Sequence, residues 1–357
     1  MNSLHLHQRM VQQLNELRLP LSQPQQTNLA LLCQALAVSP NCHLANLALG
    51  LPLPDQRENL IQRLRRQLKN GQLQAQGCYQ PLVRHVFSHW PGREVSLVMD
   101  RTDLEHRWSL LTLGAAYRKR LLPLAWQVRS FGGTGSEDQI ELLKRVQPWL
   151  PPLSQVRVHF YGDSEFRALS VQQFCQSQHW HWQVGLKSDI CFCDQSGQWQ
   201  PLSALGLQVG QRRYLNQVYL PQQHAFGPVN LMAAWSPYQD SPRYWALVLP
   251  AEPQAFRRGR KRFWIEPTFR DWKSYGFDLE HSQIEDPDRL QVLLLGIAWA
   301  TVWLLHLGDW LTRHGHVQLL APARKPDYSL FRLGRDYLRR ALLLGWTIPV
   351  DFTVSYG

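Results

Sequence analysis

The chain has 357 residues, more than one compact core usually holds, so two or three domains are expected. Hydrophobic residues make up 44% and charged residues 18%, a balance that excludes an intrinsically disordered chain. Lys and Arg outnumber Asp and Glu by 38 to 27, a formal net charge of +11, which favours a polyanionic partner: nucleic acid first, an acidic membrane surface second.

The opening stretch Met1 to Gln13 is polar and carries His5, His7 and Arg9 before any apolar run, so no signal peptide is expected there. Up to about Gln80 the chain reads as helical. Asn28–Ala37 has helical spacing, Ser39-Pro40 breaks it, and His43–Leu49 forms a second short helix. After the turn Gly50–Pro54, Asp55 caps a helix carrying Arg57, Arg63, Arg65, Arg66 and Lys69. Short helix, Gly/Pro turn and basic helix fit a DNA-binding helix-turn-helix; they equally fit a helical bundle with a solvated basic face.

From Glu94 the periodicity changes. Glu94–Asp100 is a short apolar run ending in an acid, which predicts a buried strand with a carboxylate at its end. Trp108–Tyr117 and Leu121–Val128 predict two more strands around the basic turn Arg118-Lys-Arg120. The flexible loop Gly132–Gly135 lacks the spacing of a phosphate-binding fingerprint. Ser136 is expected to cap a helix running to about Trp149, followed by a strand at Gln155–Tyr161, then Gly162-Asp163. A helix from about Ser170 to Ser177 leads to a fifth strand, Trp180–Leu186. Three strands, helix, strand, helix, strand is the order of a ribonuclease-H-like α/β fold, a mixed sheet with helices on its faces.

Residues 187 to 250 hold short runs separated by Gly, Pro, Asn and Gln, which predicts a mainly antiparallel β insertion. Helical sequence returns at Glu266 and continues to about Leu344. The apolar run Leu293–Leu305 falls short of the ~20 residues that span a bilayer, so it is read as a buried core helix, with a membrane span as the remote alternative. The six cysteines show neither C-x-x-C pairs nor finger-like Cys/His spacing, which points to free thiols in a reducing cytoplasm and away from zinc. The expected organisation is a helical N-terminal DNA-binding region (1–85), a ribonuclease-H-like catalytic core (86–186 and 251–305), the β-rich insertion (187–250) and a helical C-terminal region (306–357).

Asp100 and Asp163 each sit at the carboxyl end of a predicted strand, where sites gather in open α/β sheets, and such carboxylates can share a hard cation. Further on, Arg262-x3-Glu266-x6-Lys273 places an acid between cations. Pro267 suits a first helical turn, and Arg270 and Lys273 then return to the face of Glu266. By spacing alone, this is equally a helix with i,i+4 salt bridges.

The segment Arg262, Trp264, Ile265, Glu266, Phe269, Arg270, Asp271, Lys273, Ser274, Gly276, Phe277 strongly resembles the Tyr-x2-Arg-x3-Glu-x6-Lys signature of bacterial insertion-sequence transposases, the group named after insertion sequence four. Asp100-Arg101-Thr102 resembles that family's first-aspartate motif and Gly162–Phe166 its second. The resemblance covers roughly residues 95 to 305 and departs twice: Gly259 stands at the Tyr position, and Ser164 stands where an Arg often follows the second aspartate. It implies a DNA transposase in which Asp100, Asp163 and Glu266 hold two Mg²⁺ ions (Mn²⁺ able to substitute), while Arg262, Arg270 and Lys273 grip phosphate. It also implies double-stranded DNA, both element ends and target, as partner, a homodimer in the DNA complex, and no membrane role. Cut-and-paste release through a hairpin is implied too, with a flipped base on an aromatic side chain such as Trp235 or Trp264. The expected place of action is the bacterial cytoplasm. A decayed transposase that only binds DNA, and another two-metal nuclease of the same fold, are the alternatives; the intact acids oppose the first and the Arg-Glu-Lys register opposes the second.

Overall fold

The computed structural model describes residues 2–71, 73–90, 92–221, 225–320 and 328–354. Helices come first: α1 (Ser3–Glu16), α2 (Gln23–Val38), α3 (Leu44–Leu49), α4 (Arg57–Leu68) and α5 (Ala75–Ser88). Ser22 and Gln25 close the N-terminus of α2 reciprocally, the Ser22 amide donating to Gln25 Oε1 at 2.9 Å. The basic helix α4 starts at Arg57. Asp55 lies just outside it, accepting from the Gln56 amide at 2.7 Å and from Asn59 at 2.8 Å.

The catalytic-core candidate follows: β1 (Glu94–Leu104), β2 (Trp108–Tyr117), β3 (Arg120–Ser130), α6 (Ser136–Val146), β4 (Arg157–Gly162), α7 (Leu169–Ser177) and β5 (His181–Leu186). Gly135, rather than Ser136, caps α6, because Asp138 turns back to accept its amide at 3.1 Å. Strands β1, β2 and β3 form an antiparallel meander, and β4 and β5 run parallel to β1 on its other side. Spatial order β3-β2-β1-β4-β5 with a mixed sheet is the ribonuclease-H-like arrangement expected from the sequence.

Residues 187 to 250 supply β6 (Cys191–Cys193), β7 (Trp199–Pro201), β8 (Arg212–Leu220), β9 (Phe226–Ala234) and β10 (Arg243–Leu247), all paired antiparallel. β10 pairs with β5, so these strands lengthen the core sheet to ten. Residues 206–210 are irregular and end in a turn, while 212–220 form the single bulged strand β8.

The helical C-terminal part is more broken than its sequence suggests. Short helices α8 (Pro253–Gly259) and α9 (Ile265–Arg270) flank a 3-10 turn (Arg260–Trp264), and a π turn (Asp271–Tyr275) follows. Then come α10 (Pro287–Arg313) and α11 (Leu330–Leu344), and the part of the expected helix at 321–327 lies outside the described residues. Helix α10 is 27 residues long and apolar enough to cross a membrane by length and composition, longer than the 293–305 run implied. Here 94% of its most apolar window is buried, packed against α2, α5, α11 and β3. Helix α11 is tied back onto α2 by Arg335 and Arg339. Both donate to Ser39 O, Arg339 at 3.0 Å, and so satisfy carbonyls at the C-terminus of α2. All six cysteines are free thiols.

Helices α10 and α11 meet at glycines. A Cβ at Gly334 would collide with the backbone of Leu304, and one at Gly308 with the backbone of Leu330. Backbone cannot yield as a flexible side-chain tip can, so Gly334→Val should cost more than about 3 kcal/mol. In urea denaturation, Gly77→Ala, at a helical position with nothing within 4 Å of the new Cβ, should cost nothing. Equal stability of the two variants would show that the crossing is not set by backbone contact.

Candidate active site

The site is built on one face of the sheet. Val95, Leu97 and Met99 point into the main core, so their alternates Ser96, Val98 and Asp100 point to the opposite face. There Val98, Ala116, Leu121 and Tyr161 form a small apolar cluster with Ile265 and Phe269 of α9, and Trp264 packs on it. Thr268 Oγ1 accepts the amide of Leu121 at 2.8 Å, and Arg120 pairs with Asp271 at 2.6 Å. Trp272 Nε1 donates to Thr301 on α10 at 2.9 Å. The segment carrying Glu266 is thus pinned to β3 and α10 as well as to the sheet face.

The last paired positions of β1 and β4 are Val98 and Tyr161. Two residues on in each strand stand Asp100 and Asp163, which places both acids at one level on the same face. Strand β1 runs on to Leu104 in its hairpin with β2, so Asp100 is not at the strand's end as expected; it sits where the parallel pairing with β4 stops. Asp163 directly follows β4, and its Oδ1 accepts the amide of Glu165 at 2.8 Å, capping the turn Ser164–Phe166. Asp100 Oδ1 accepts the amide of Arg101 at 2.8 Å.

The third acid arrives from α9. Arg262 spans two carboxylates, with Nη1 3.4 Å from Asp100 Oδ2 and Nη2 3.7 Å from Glu266 Oε1. The Asp100 side chain is 16% exposed and that of Glu266 52%. Burial above all, with the like charges of Asp163 and Glu266, pushes the Asp100 carboxyl up from 3.8 to about 6 against the pull of Arg262 and of the Arg101 amide. A salt bridge formed for stability would lower that value; here the desolvation and repulsion win.

The remaining predicted cations divide. Arg270 lies exposed at the end of α9. Lys273 is engaged elsewhere: its Nζ donates to Asp103 O at 2.8 Å and pairs with Glu280 at 3.2 Å. The π turn after Arg270 breaks the regular two-turn register that would have returned Lys273 to the face of Glu266.

Several residues that shape the site carry no signal in the sequence pattern. Arg101 pairs with Asp103 at 2.7 Å and Glu165 at 3.0 Å, tying β1 to the turn after Asp163. Lys261 reaches Glu94 at 2.7 Å and Ser96 at 2.9 Å, anchoring the turn that carries Arg262. Gly185 on β5 lies under Asp163, where a Cβ would stand 2.8 Å from the Ser164 amide and 3.0 Å from the Asp163 carbonyl carbon. Adjacent charges at 100–101 and 163–165 were the one available hint of the Arg101 link.

At the departure Gly259, a Cβ would meet the side chain of Gln183, so a tyrosine there requires that side chain to move. At Ser164, the carbonyl accepts from Arg167. Beside it opens a cleft of about 660 Å³ lined by Ser164, Lys187, Arg243, Tyr244 and Trp235. Of the two tryptophans singled out, Trp235 therefore faces a cleft while Trp264 packs on the apolar cluster.

Carboxylate oxygens held together against their own repulsion are a donor set suited to a hard divalent cation. Asp100, Asp163 and Glu266 fit that requirement in kind. Among the described residues, however, no three such groups already stand in ligand geometry, and a guanidinium bridges two of the acids.

Comparison with curated proteins found no match. A solved structure titled "Cryo-EM structure of piggyBac transposase synaptic complex with hairpin DNA (SNHP)" is similar over 95% of this chain and 77% of that chain, at 11% identity and a TM-score of 0.49. Residues 93–303, more than half of the chain, match the family described as "Transposase DDE domain", DNA-cleaving and strand-transferring enzymes that generally use divalent metal ions. The chain belongs to the DDE transposase family.

Proposed function

We propose that the chain cleaves the ends of a bacterial insertion sequence and joins them to target DNA, as a member of the Y-R-E-K group. The observation that carries this reading is the gathering of acids from β1, the end of β4 and α9 on one sheet face, at a cost in electrostatic energy that a bound cation would relieve. Asp100, Asp163 and Glu266 would hold two Mg²⁺ ions, with Mn²⁺ as a substitute. Bound there, such a pair supplies activation of the attacking oxygen and charge stabilisation of the leaving one. The chain's own contribution is position: the Val98–Phe269 cluster fixes Glu266, Gly185 lets Asp163 sit low on β5, and Arg101 locks the two strand ends together.

Phosphate oxygens near the scissile bond fall to Arg262 and Arg270, and to Lys273 once DNA competes for its ammonium. Double-stranded DNA is the partner the net charge favours, and a homodimer would bring two element ends together. Work in a bacterial cytoplasm, away from membranes, suits free thiols and a buried α10. Release through a hairpin, with a flipped base in the cleft walled by Trp235, completes the cut-and-paste reading.

Purified protein, element-end duplex and Mg²⁺ should yield nicks and hairpins. Glu266→Gln should lower cleavage by about a hundredfold or more while leaving affinity for the duplex within about twofold, because the lost charge is a metal ligand and not a phosphate contact. Cleavage by Glu266→Gln at the normal rate would leave the salt bridge to Arg262 as that acid's only role.

The raised Asp100 carboxyl also makes a pH prediction for the metal-free protein. With a folded value near 6 against 3.8, the native state binds the extra proton, so its stabilising effect is complete below about pH 4 and is lost as pH rises through about 6. Asp100→Asn should therefore be more stable than the parent at about pH 8, by about 2 kcal/mol, with the gap narrowing as pH falls through about 6 and closing below about pH 4. No gain at the higher pH would contradict the repulsion described for this cluster.

A further inference from the structure

We propose that Arg262 is an internal counter-cation that keeps Asp100 and Glu266 from taking up divalent metal until DNA phosphate draws its guanidinium away. The inference rests on the metal-site reading above and adds an order to it: DNA first, then metal.

The cations around the site are committed differently. Lys261 is held by Glu94 and Ser96, Arg101 by Glu165 and Asp103, Arg120 by Asp271, and Lys273 by Asp103 O and Glu280. None of those partners is a proposed metal ligand. Arg262 alone among these five pairs with two of the three acids. Its contacts, at 3.4 and 3.7 Å, are longer than the 2.7–2.9 Å of strong charge-assisted bonds, so they neutralise the acids without locking them. The guanidinium lies over the ring of Phe263, 4.6 Å from its centroid, and that ring is 45% exposed. The side chain can therefore leave along a surface aromatic rather than through the core.

Electrostatics supplies the exclusion. A guanidinium and a divalent cation cannot share two carboxylates at these distances without strong repulsion. A phosphate diester offers the fork a better partner, two oxygens in bidentate geometry. Because coupling is reciprocal, whatever takes Arg262 from the acids raises their affinity for metal by the same factor with which metal favours that binding. The protein would then carry loaded metal only on DNA.

The test measures Mn²⁺ binding by electron paramagnetic resonance on the full chain, without DNA and then with a saturating short duplex. Without DNA, Arg262→Gln should bind Mn²⁺ about tenfold more tightly than the parent, whereas Arg262→Lys, which keeps the charge, should stay within about twofold of it. Thermal melts check that both variants are folded. With duplex present, and after subtraction of the Mn²⁺ that the same duplex binds alone, the ratio between Arg262→Gln and parent should fall towards one, because phosphate has taken the parent's guanidinium from the acids. Equal Mn²⁺ affinity of parent and Arg262→Gln without DNA, or a tenfold ratio that persists on DNA, would overturn the proposal. Asp163→Asn separates the two layers of argument. If it weakens Mn²⁺ binding on DNA while Arg262→Gln changes nothing off DNA, the metal site stands and the counter-cation role falls. If Asp163→Asn changes Mn²⁺ binding in neither condition, both fall.

Discussion

The structure depends on one contact: the packing of Ile265 and Phe269 against Val98 and Tyr161. Two aspartates on adjacent parallel strands are brought level by the sheet's own register, which needs no special design. The third acid comes from a helix that follows the insertion more than a hundred residues after Asp163, and nothing local brings it back. A small apolar cluster, separate from the main core, does so, and its neighbours Thr268, Asp271 and Trp272 fix the helix against sliding or rotation. Burial of four or five side chains, each contributing about 1.5–3 kcal/mol, outweighs the repulsion that the convergence of acids creates.

That repulsion sets the proposed site apart from the rest of the fold. Elsewhere the chain satisfies its charges in stabilising ways: Lys261 offsets the burial of Glu94, Arg101 balances Asp103 and Glu165, and two arginines of α11 cap α2. At Asp100 it does the opposite, burying a carboxylate beside two others with one loosely held arginine between them. Stability surrendered at one point and secured around it is the pattern expected of a site awaiting a cationic ligand.

Much of this was legible in the sequence. The ribonuclease-H-like order of strands and helices followed from short, near-continuous apolar runs and their breaks, and the β character of 187–250 from its turn residues. The signature around Glu266 identified the segment because its aromatic and charged residues have separate jobs that only one register serves. Ile265 and Phe269 pack, Asp271 pairs with Arg120, and Phe277 is fully buried. What escaped was set by tertiary context. The π turn that carries Lys273 off the expected face, the extension of β1 beyond Asp100 and the joining of insertion strands to the core sheet through β10 depend on partners distant in the chain. Gly185 could not be picked out, since its role is to leave room for a backbone that only the folded sheet puts there.

The proposed metal site shared by the three acids is tested directly by where a bound metal cuts the protein. Fe²⁺ substituted into the DNA-bound chain, with ascorbate and peroxide, generates radicals at the ion and cleaves nearby backbone. The account predicts cuts clustered around residues 100, 163 and 266, all suppressed together by excess Mg²⁺. Cuts confined to one of these segments, or cutting that Mg²⁺ does not suppress, would contradict a shared metal site built from β1, β4 and α9.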